Sequence, residues 1–145
     1  MRILGIDPGE KRIGVAISDP SGTIANPHSI LKHVSRIIDA ATIANLATQN
    51  EVGVIVVGQT VDEDNQPTSQ GRHAARLAAA ITQQTSIKVV LWDEADSTKA
   101  ARNAHIKLGG SRRSRKERGH GHLDDLAATY ILQTYLDNHP SSGTL

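Results

Sequence analysis

The chain has no cysteine and no phenylalanine, and its aromatics amount to one tryptophan and two tyrosines. Without cysteine there is no disulfide, no thiolate nucleophile and no sulfur-ligated zinc; oxygen and imidazole are the only metal ligands left, so any bound metal is expected to be a hard cation. The scarcity of rings leaves few platforms on which unpaired bases could stack. No apolar run approaches the roughly 18 residues a membrane span requires, and the N-terminus lacks the basic-then-apolar pattern of a signal peptide. The expectation is a cytoplasmic protein. A net charge of only +1 means that attraction to nucleic acid must come from a local patch.

What is present fits one globular domain. The 145 residues are 38% hydrophobic and 21% charged, enough for a proper core. Residues 1–138 are read as a single domain and 139–145, ending "PSSGTL", as a frayed tail. "RILGID" and "KRIGVAISD" read as strands; in the second, Ile13, Val15 and Ile17 share one face by the period of two, with Gly14 and Ala16 thinning the other. Asp19-Pro20-Ser21-Gly22 is a tight turn, and "TIANPHSI" is a third strand that Pro27 assigns to a sheet edge. Val34, Ile37, Ile38 and Ala41 recur at helical spacing. "VGVIVVG" (52–58) is apolar throughout, as a central parallel strand covered on both faces should be. Ala74, Leu77, Ala78 and Ile81 form a second helical stripe, and "IKVVLW" is a strand ending at Asp93 and Glu94. Ala100, Ala101 and Ala104 mark a third helix stopped by Gly109-Gly110; Leu123, Ala127, Tyr130, Ile131 and Thr134 mark a last one. The layout is β-β-β-α-β-α-β-α-α in one α/β domain.

Three acidic positions stand out against this layout. Asp7 ends the first strand just before Pro-Gly, where a turn carboxylate capping local amides is the plain alternative. Asp93 and Glu94 end a parallel strand, the edge at which ligand crevices form in α/β sheets, although an acid there also serves to cap the next helix. Asp124 and Asp125 open an apolar helix, where negative charge suits the helix dipole. Separated segments thus place acids where one sheet edge can gather them. Such a group repels itself unless a cation sits within it, which points to Mg²⁺ or Mn²⁺. Carboxylates holding two such ions suit in-line displacement at phosphorus by water, with no nucleophilic side chain required.

"ILGIDPGEKRIGVAIS", "VVG" at 56–58, "DEADST" at 93–98 and "LDDLAATYIL" at 123–132, in this order, resemble the YqgF/RuvX family over nearly the whole chain. The resemblance implies a ribonuclease H-like fold: a mixed five-stranded sheet, its first three strands antiparallel and the rest parallel, with helices on both faces. It further implies a metal-dependent nuclease, similar to Holliday junction resolvases, that processes the 5′ end of pre-16S ribosomal RNA. By matching motifs, Asp7, Glu94 and Asp124 take the catalytic and metal-holding positions around Mg²⁺ or Mn²⁺, with Asp93 assisting. Adjacent helical residues point about 100° apart, so only one of Asp124 and Asp125 faces the site, and Asp124 is the choice. Two departures stand out: Ala95 replaces an arginine common in the family after the Asp-Glu pair, removing a bidentate phosphate fork, and Gln59-Thr60 replaces Leu-Pro.

The loop "SRRSRKERGHGH" carries Arg112, Arg113, Arg115, Lys116 and Arg118 against the single acid Glu117. As a charge run it reads as a solvated connector. Its position directly before the helix of Asp124 makes its cations, together with Lys11 and Arg12, candidates for clamping phosphates in a salt-sensitive way. His120 and His122 lack the partners zinc would need and are not assigned. Recognition should follow backbone shape rather than base sequence. The expected partner is nucleic acid, either a ribosomal RNA precursor or branched DNA, bound by a monomer or homodimer. Two other classes stay open. Sugar kinases and actin-like ATPases resemble this fold but need two such domains, and a non-catalytic nucleic-acid binder linked to transcription would fit the loss of arginine at Ala95.

Overall fold

The structure, a computed structural model, describes residues 1–59, 68–93 and 120–140, with only the backbone described for 120–125. Strands β1 (Arg2–Pro8), β2 (Arg12–Ser18) and β3 (Ala25–Lys32) precede helix α1 (Arg36–Gln49), strand β4 (Val52–Gly58), helix α2 (Ser69–Gln84), strand β5 (Lys88–Trp92) and helix α3 (His120–Asn138). The expected helix over Ala100–Ala104 and its Gly109-Gly110 stop lie outside the described residues.

The five strands form one sheet in the order β3-β2-β1-β4-β5. β1, β2 and β3 pair antiparallel, while β4 is parallel to both β1 and β5. This is the expected mixed sheet, with β3 at the edge and β4 central.

The hairpin turns follow from single residues. Between β1 and β2, the Gly9 N–H donates to the Arg12 carbonyl (2.9 Å), and a Cβ on Gly9 would lie 2.4 Å from that oxygen, so only glycine fits. Between β2 and β3, the Asp19 carboxylate accepts from the amides of Thr23 (2.8 Å) and Ile24 (2.9 Å) and from the Ser21 hydroxyl. Those bonds, the Ile24 amide foremost, hold the Asp19 carboxyl far below the usual carboxylate range. Gly22 completes the turn at φ +72°.

The pleat sorts side chains onto two faces. Leu4, Ile6, Ile13, Val15, Ile55 and Val57 form one face, covered by Ala40, Ile43 and Ala47 of α1 and Ala74, Leu77, Ala78 and Ile81 of α2. Ala16, Val56 and Trp92 form the other, covered by Ala128, Leu132, Tyr135 and Leu136 of α3. The α2 stripe and the shared face of Ile13, Val15 and Ile17 are as expected from the sequence.

Two helix faces differ from expectation. Helix α1 begins after its N-cap Ser35, so Val34 lies outside it, and Val34, Ile37 and Ile38 are 60%, 71% and 50% exposed. Small residues, Ala40, Ala44 and Ala47, let the helix approach the sheet closely, whereas size alone favoured the first-turn isoleucines. In α3 the stripe is Ala128-Leu132-Tyr135-Leu136, with Thr134 also buried; Ala127, Tyr130 and Ile131 are half-buried at its margin. The Leu123 side chain is outside the described residues.

Helix α3 is bound to the sheet at three points. Its Gln133 amide accepts from the Ala25 N–H (2.8 Å) and donates to the Thr23 carbonyl (3.0 Å), joining the helix to the start of β3. The Trp92 indole N–H donates to the Thr134 hydroxyl (2.9 Å), which donates onward to the Ile131 carbonyl (2.7 Å). Tyr135 meets Trp92 edge-on with centroids 5.5 Å apart and stacks on His139 at 4.1 Å.

Candidate metal and nucleic-acid site

Asp7 is the penultimate residue of β1 and is half-buried. Strand alternation puts it on the face of Gly5, the face over which α3 lies. Its partner across the antiparallel pairing is Gly14. On the other side, the parallel register aligns Ile6 with Val57, and the next step sets Asp7 beside Gly58. The carboxylate therefore stands between two residues without side chains, with the Ile131 side chain of α3 lying over Gly58, where an added Cβ would be 2.6 Å from its terminal methyl.

The same edge receives the end of β5. Gly58 pairs with Trp92, Asp93 follows directly, and the Gln59 N–H donates to the Trp92 carbonyl (2.9 Å) to close the edge. With β4 between them, β1 and β5 lie about 10 Å apart. Asp7 and Asp93 are thus on one edge, the edge the sequence suggested. Glu94 is the next residue in the chain and lies outside the described residues.

Asp124 lies on the backbone of α3, one helical turn before Ala128. Ala128 in turn is seated against Gly5, where an added Cβ would come within 3.3 Å of its carbonyl oxygen. The Asp124 side chain is outside the described part, as are the side chains of Asp125, His120 and His122. Among the described residues no three His, Cys, Asp or Glu are grouped to hold a metal. The donors at this edge are carboxylates, the chemistry that suits a hard divalent cation.

Lys11 in the β1–β2 turn and Arg12 at the start of β2 lie beside the Asp7 end of β1 and are exposed. The Lys11 carbonyl accepts from the His33 N–H (2.9 Å), fixing the turn against the end of β3. Arg112, Arg113, Arg115, Lys116 and Arg118 lie outside the described residues. One contact at this edge had escaped the sequence reading: the Gln70 side-chain amide donates to the Pro8 carbonyl, next to Asp7. Nothing in the sequence pairs residues 62 positions apart, but the start of α2 after a strand ending at this edge was the available signal.

The chain matches, over residues 1–138, the family described as RuvX: Holliday junction resolvase. It belongs to the RuvX family. It is 41% identical over 139 residues to a protein of Thermoanaerobacter pseudethanolicus named "Putative pre-16S rRNA nuclease", covering 95% of this chain and 97% of that one. Proteins of the same name from Syntrophomonas wolfei (37% identity; 94% of each chain) and Myxococcus xanthus (34%; 99% of this chain and 93% of that one) are similar throughout. Among solved structures, Thermus thermophilus RuvC in complex with a Holliday junction substrate superposes with a TM-score of 0.61 at 12% identity over 97% of both chains. The fowlpox virus Holliday junction resolvase gives 0.53 at 14% identity, covering 96% of this chain and 99% of that one. At such identities these two likenesses establish a shared fold, and the ribonuclease H-like architecture expected of this RuvX-family chain is the one it has.

Proposed function

We propose that this chain is a divalent-metal-dependent nuclease that hydrolyses phosphodiester bonds in structured nucleic acid, with the 5′ end of pre-16S ribosomal RNA as its cytoplasmic substrate. The observation that carries the reading is Asp7, held on a rigid strand between two glycines at the edge where β4 and β5 also end. Family membership and the names of the relatives agree with it.

Asp7, Glu94 and Asp124 would hold Mg²⁺ or Mn²⁺, which supplies an activated water and neutralises the leaving oxygen. The chain's own part is positional. Strand β1, buried on both faces, fixes Asp7, and its cross-strand neighbour Gly14 adds no side chain beside the carboxylate. Lys11 and Arg12, with the cations of 112–118, hold the flanking phosphates and give affinity that falls with salt.

The test incubates wild type and Asp7→Asn with a pre-16S RNA fragment, single strands and four-way DNA junctions, each with Mn²⁺ and with EDTA. Cleavage lost in both the variant and the chelator is the expected result. Activity surviving both rejects the metal mechanism. Cleavage of the junction alone favours a resolvase, the reading that the family description supports, and binding without cleavage of any substrate favours a non-catalytic protein.

A further inference from the structure

A second group of basic residues lies on helices α1 and α2. Arg36 opens α1, and Arg72, His73 and Arg76 follow one another along the exposed side of α2. Arg76 lies four residues after Arg72 and three after His73, so it neighbours each of them on the helix surface. Helices α1 and α2 pack against each other, and beside them the ring of His33, in the segment leading into α1, meets that of His73 edge-on with centroids 6.3 Å apart. Desolvation, then the charges of Arg36 and His33, hold the His73 imidazole below its ordinary value, and Arg76 adds to this. Several cations therefore act on one spot.

Asp39 offsets part of this charge at His73, but its carboxylate is already engaged. Asp39 is buried, is paired with the His33 ring, and accepts from the Val34 N–H (3.0 Å). Among the described residues, Arg36 and Arg76 take part in no ion pair, whereas Arg72 has contacts of its own. Arg36 and Arg76 are two exposed cations on helices that pack together, and among the described residues neither is held in an ion pair.

Location gives them a use. The first turn of α2 reaches the Asp7 edge through the Gln70–Pro8 contact, and the end of β3 reaches it through the His33–Lys11 contact. Lys32, Lys11 and Arg12 are exposed along the way. Exposed cations thus occur from the β1–β2 turn, where Glu10 is also exposed, to the start of α1.

We propose that Arg36 and Arg76 form a second contact surface for the sugar-phosphate backbone, holding the part of a nucleic-acid strand that passes over the β1–β2 turn away from the scissile bond. This rests on the nuclease reading only for the identity of the strand. The ligand is polyanionic backbone, common to RNA and DNA, and base sequence is not read.

The test measures binding of a fluorescein-labelled RNA hairpin with a single-stranded flank, and of DNA of the same sequence, by anisotropy in EDTA across a salt series. Arg36→Glu/Arg76→Glu is expected to weaken binding at least tenfold and to lower the slope of log K against log salt by roughly 1.5 to 2, the value for two phosphate contacts. Arg36→Ala/Arg76→Ala guards against misfolding of the reversed variant and should show a smaller loss in the same direction. Lys88→Glu, at the opposite sheet edge, changes charge as much as Arg76→Glu alone and is expected to leave affinity within about twofold. Unchanged affinity in both double variants, equal weakening by Lys88→Glu and Arg76→Glu, or absence of wild-type binding to either polymer would each overturn the proposal. Wild type that binds in this way but never cleaves with Mn²⁺ overturns the nuclease reading and leaves the surface standing.

Discussion

Gly5 and Leu132 are packed so closely that a Cβ built on Gly5 would lie 2.6 Å from the Leu132 Cβ and 3.3 Å from the Ala128 carbonyl. Neither neighbour is a flexible chain end, so α3 itself must move to admit a methyl group. Gly5→Ala should destabilise the fold by about 2–3 kcal/mol, measured by urea unfolding. Gly58→Ala meets the terminal methyl of Ile131 at 2.6 Å, which can rotate away, and its Cγ1 and Cγ2 at 3.3 Å, and should cost less than Gly5→Ala. Because α3 carries Asp124, Gly5→Ala should also lower cleavage in a way Gly58→Ala does not match per unit of lost stability.

Asp7→Asn keeps the shape of the side chain and removes its charge. Cleavage with Mn²⁺ should fall by at least about 100-fold, while far-ultraviolet circular dichroism and the unfolding midpoint stay close to wild type. A parallel loss of structure would make Asp7 a scaffold residue instead.

Thr134→Val preserves volume but leaves the buried Trp92 N–H without its acceptor. The expected cost is about 1–3 kcal/mol. Trp92 is the single tryptophan, so its emission follows this unfolding without a label.

Glu51 follows the α1 C-cap Asn50 at φ 56°, and among the described residues it is the one non-glycine with positive φ. Glu51→Gly should raise stability by about 0.5–1 kcal/mol in the same urea experiment, since glycine takes the left-handed conformation without steric cost.

The Asp19 turn sets an acid limit. Its carboxyl is depressed in the folded chain, so its stabilising contribution is complete above the ordinary value of 3.8 and is lost as pH falls below that. Asp19→Asn should therefore flatten the loss of stability below pH 3.8 relative to wild type, read as unfolding midpoints down the acid series.

Much of this architecture was legible because it depends on local rules. The alternation of Ile13, Val15 and Ile17, the unbroken apolar run of β4 and the edge-marking Pro27 each gave strand identity and position. What escaped depends on close approach between distant segments. Gly5 and Gly58 look like ordinary strand glycines until α3 is laid over them, and in α1 the sheet is faced by Ala40, Ile43 and Ala47 while Ile37 and Ile38 are exposed. At the site, the shared edge of Asp7 and Asp93 was readable from strand order, whereas the Gln70–Pro8 bond and the α1–α2 basic surface arise only from the packing of two helices.

Helix α3 covers a whole face of the sheet, yet every strand beneath it precedes it in the chain. During synthesis, Val56 and Trp92 therefore wait, wetted, for a lid that the ribosome makes after all the strands. Chains cut short before residue 120 would keep the Asp7 edge but carry an open greasy flank, and their fate should be capture by chaperones or proteases rather than partial activity.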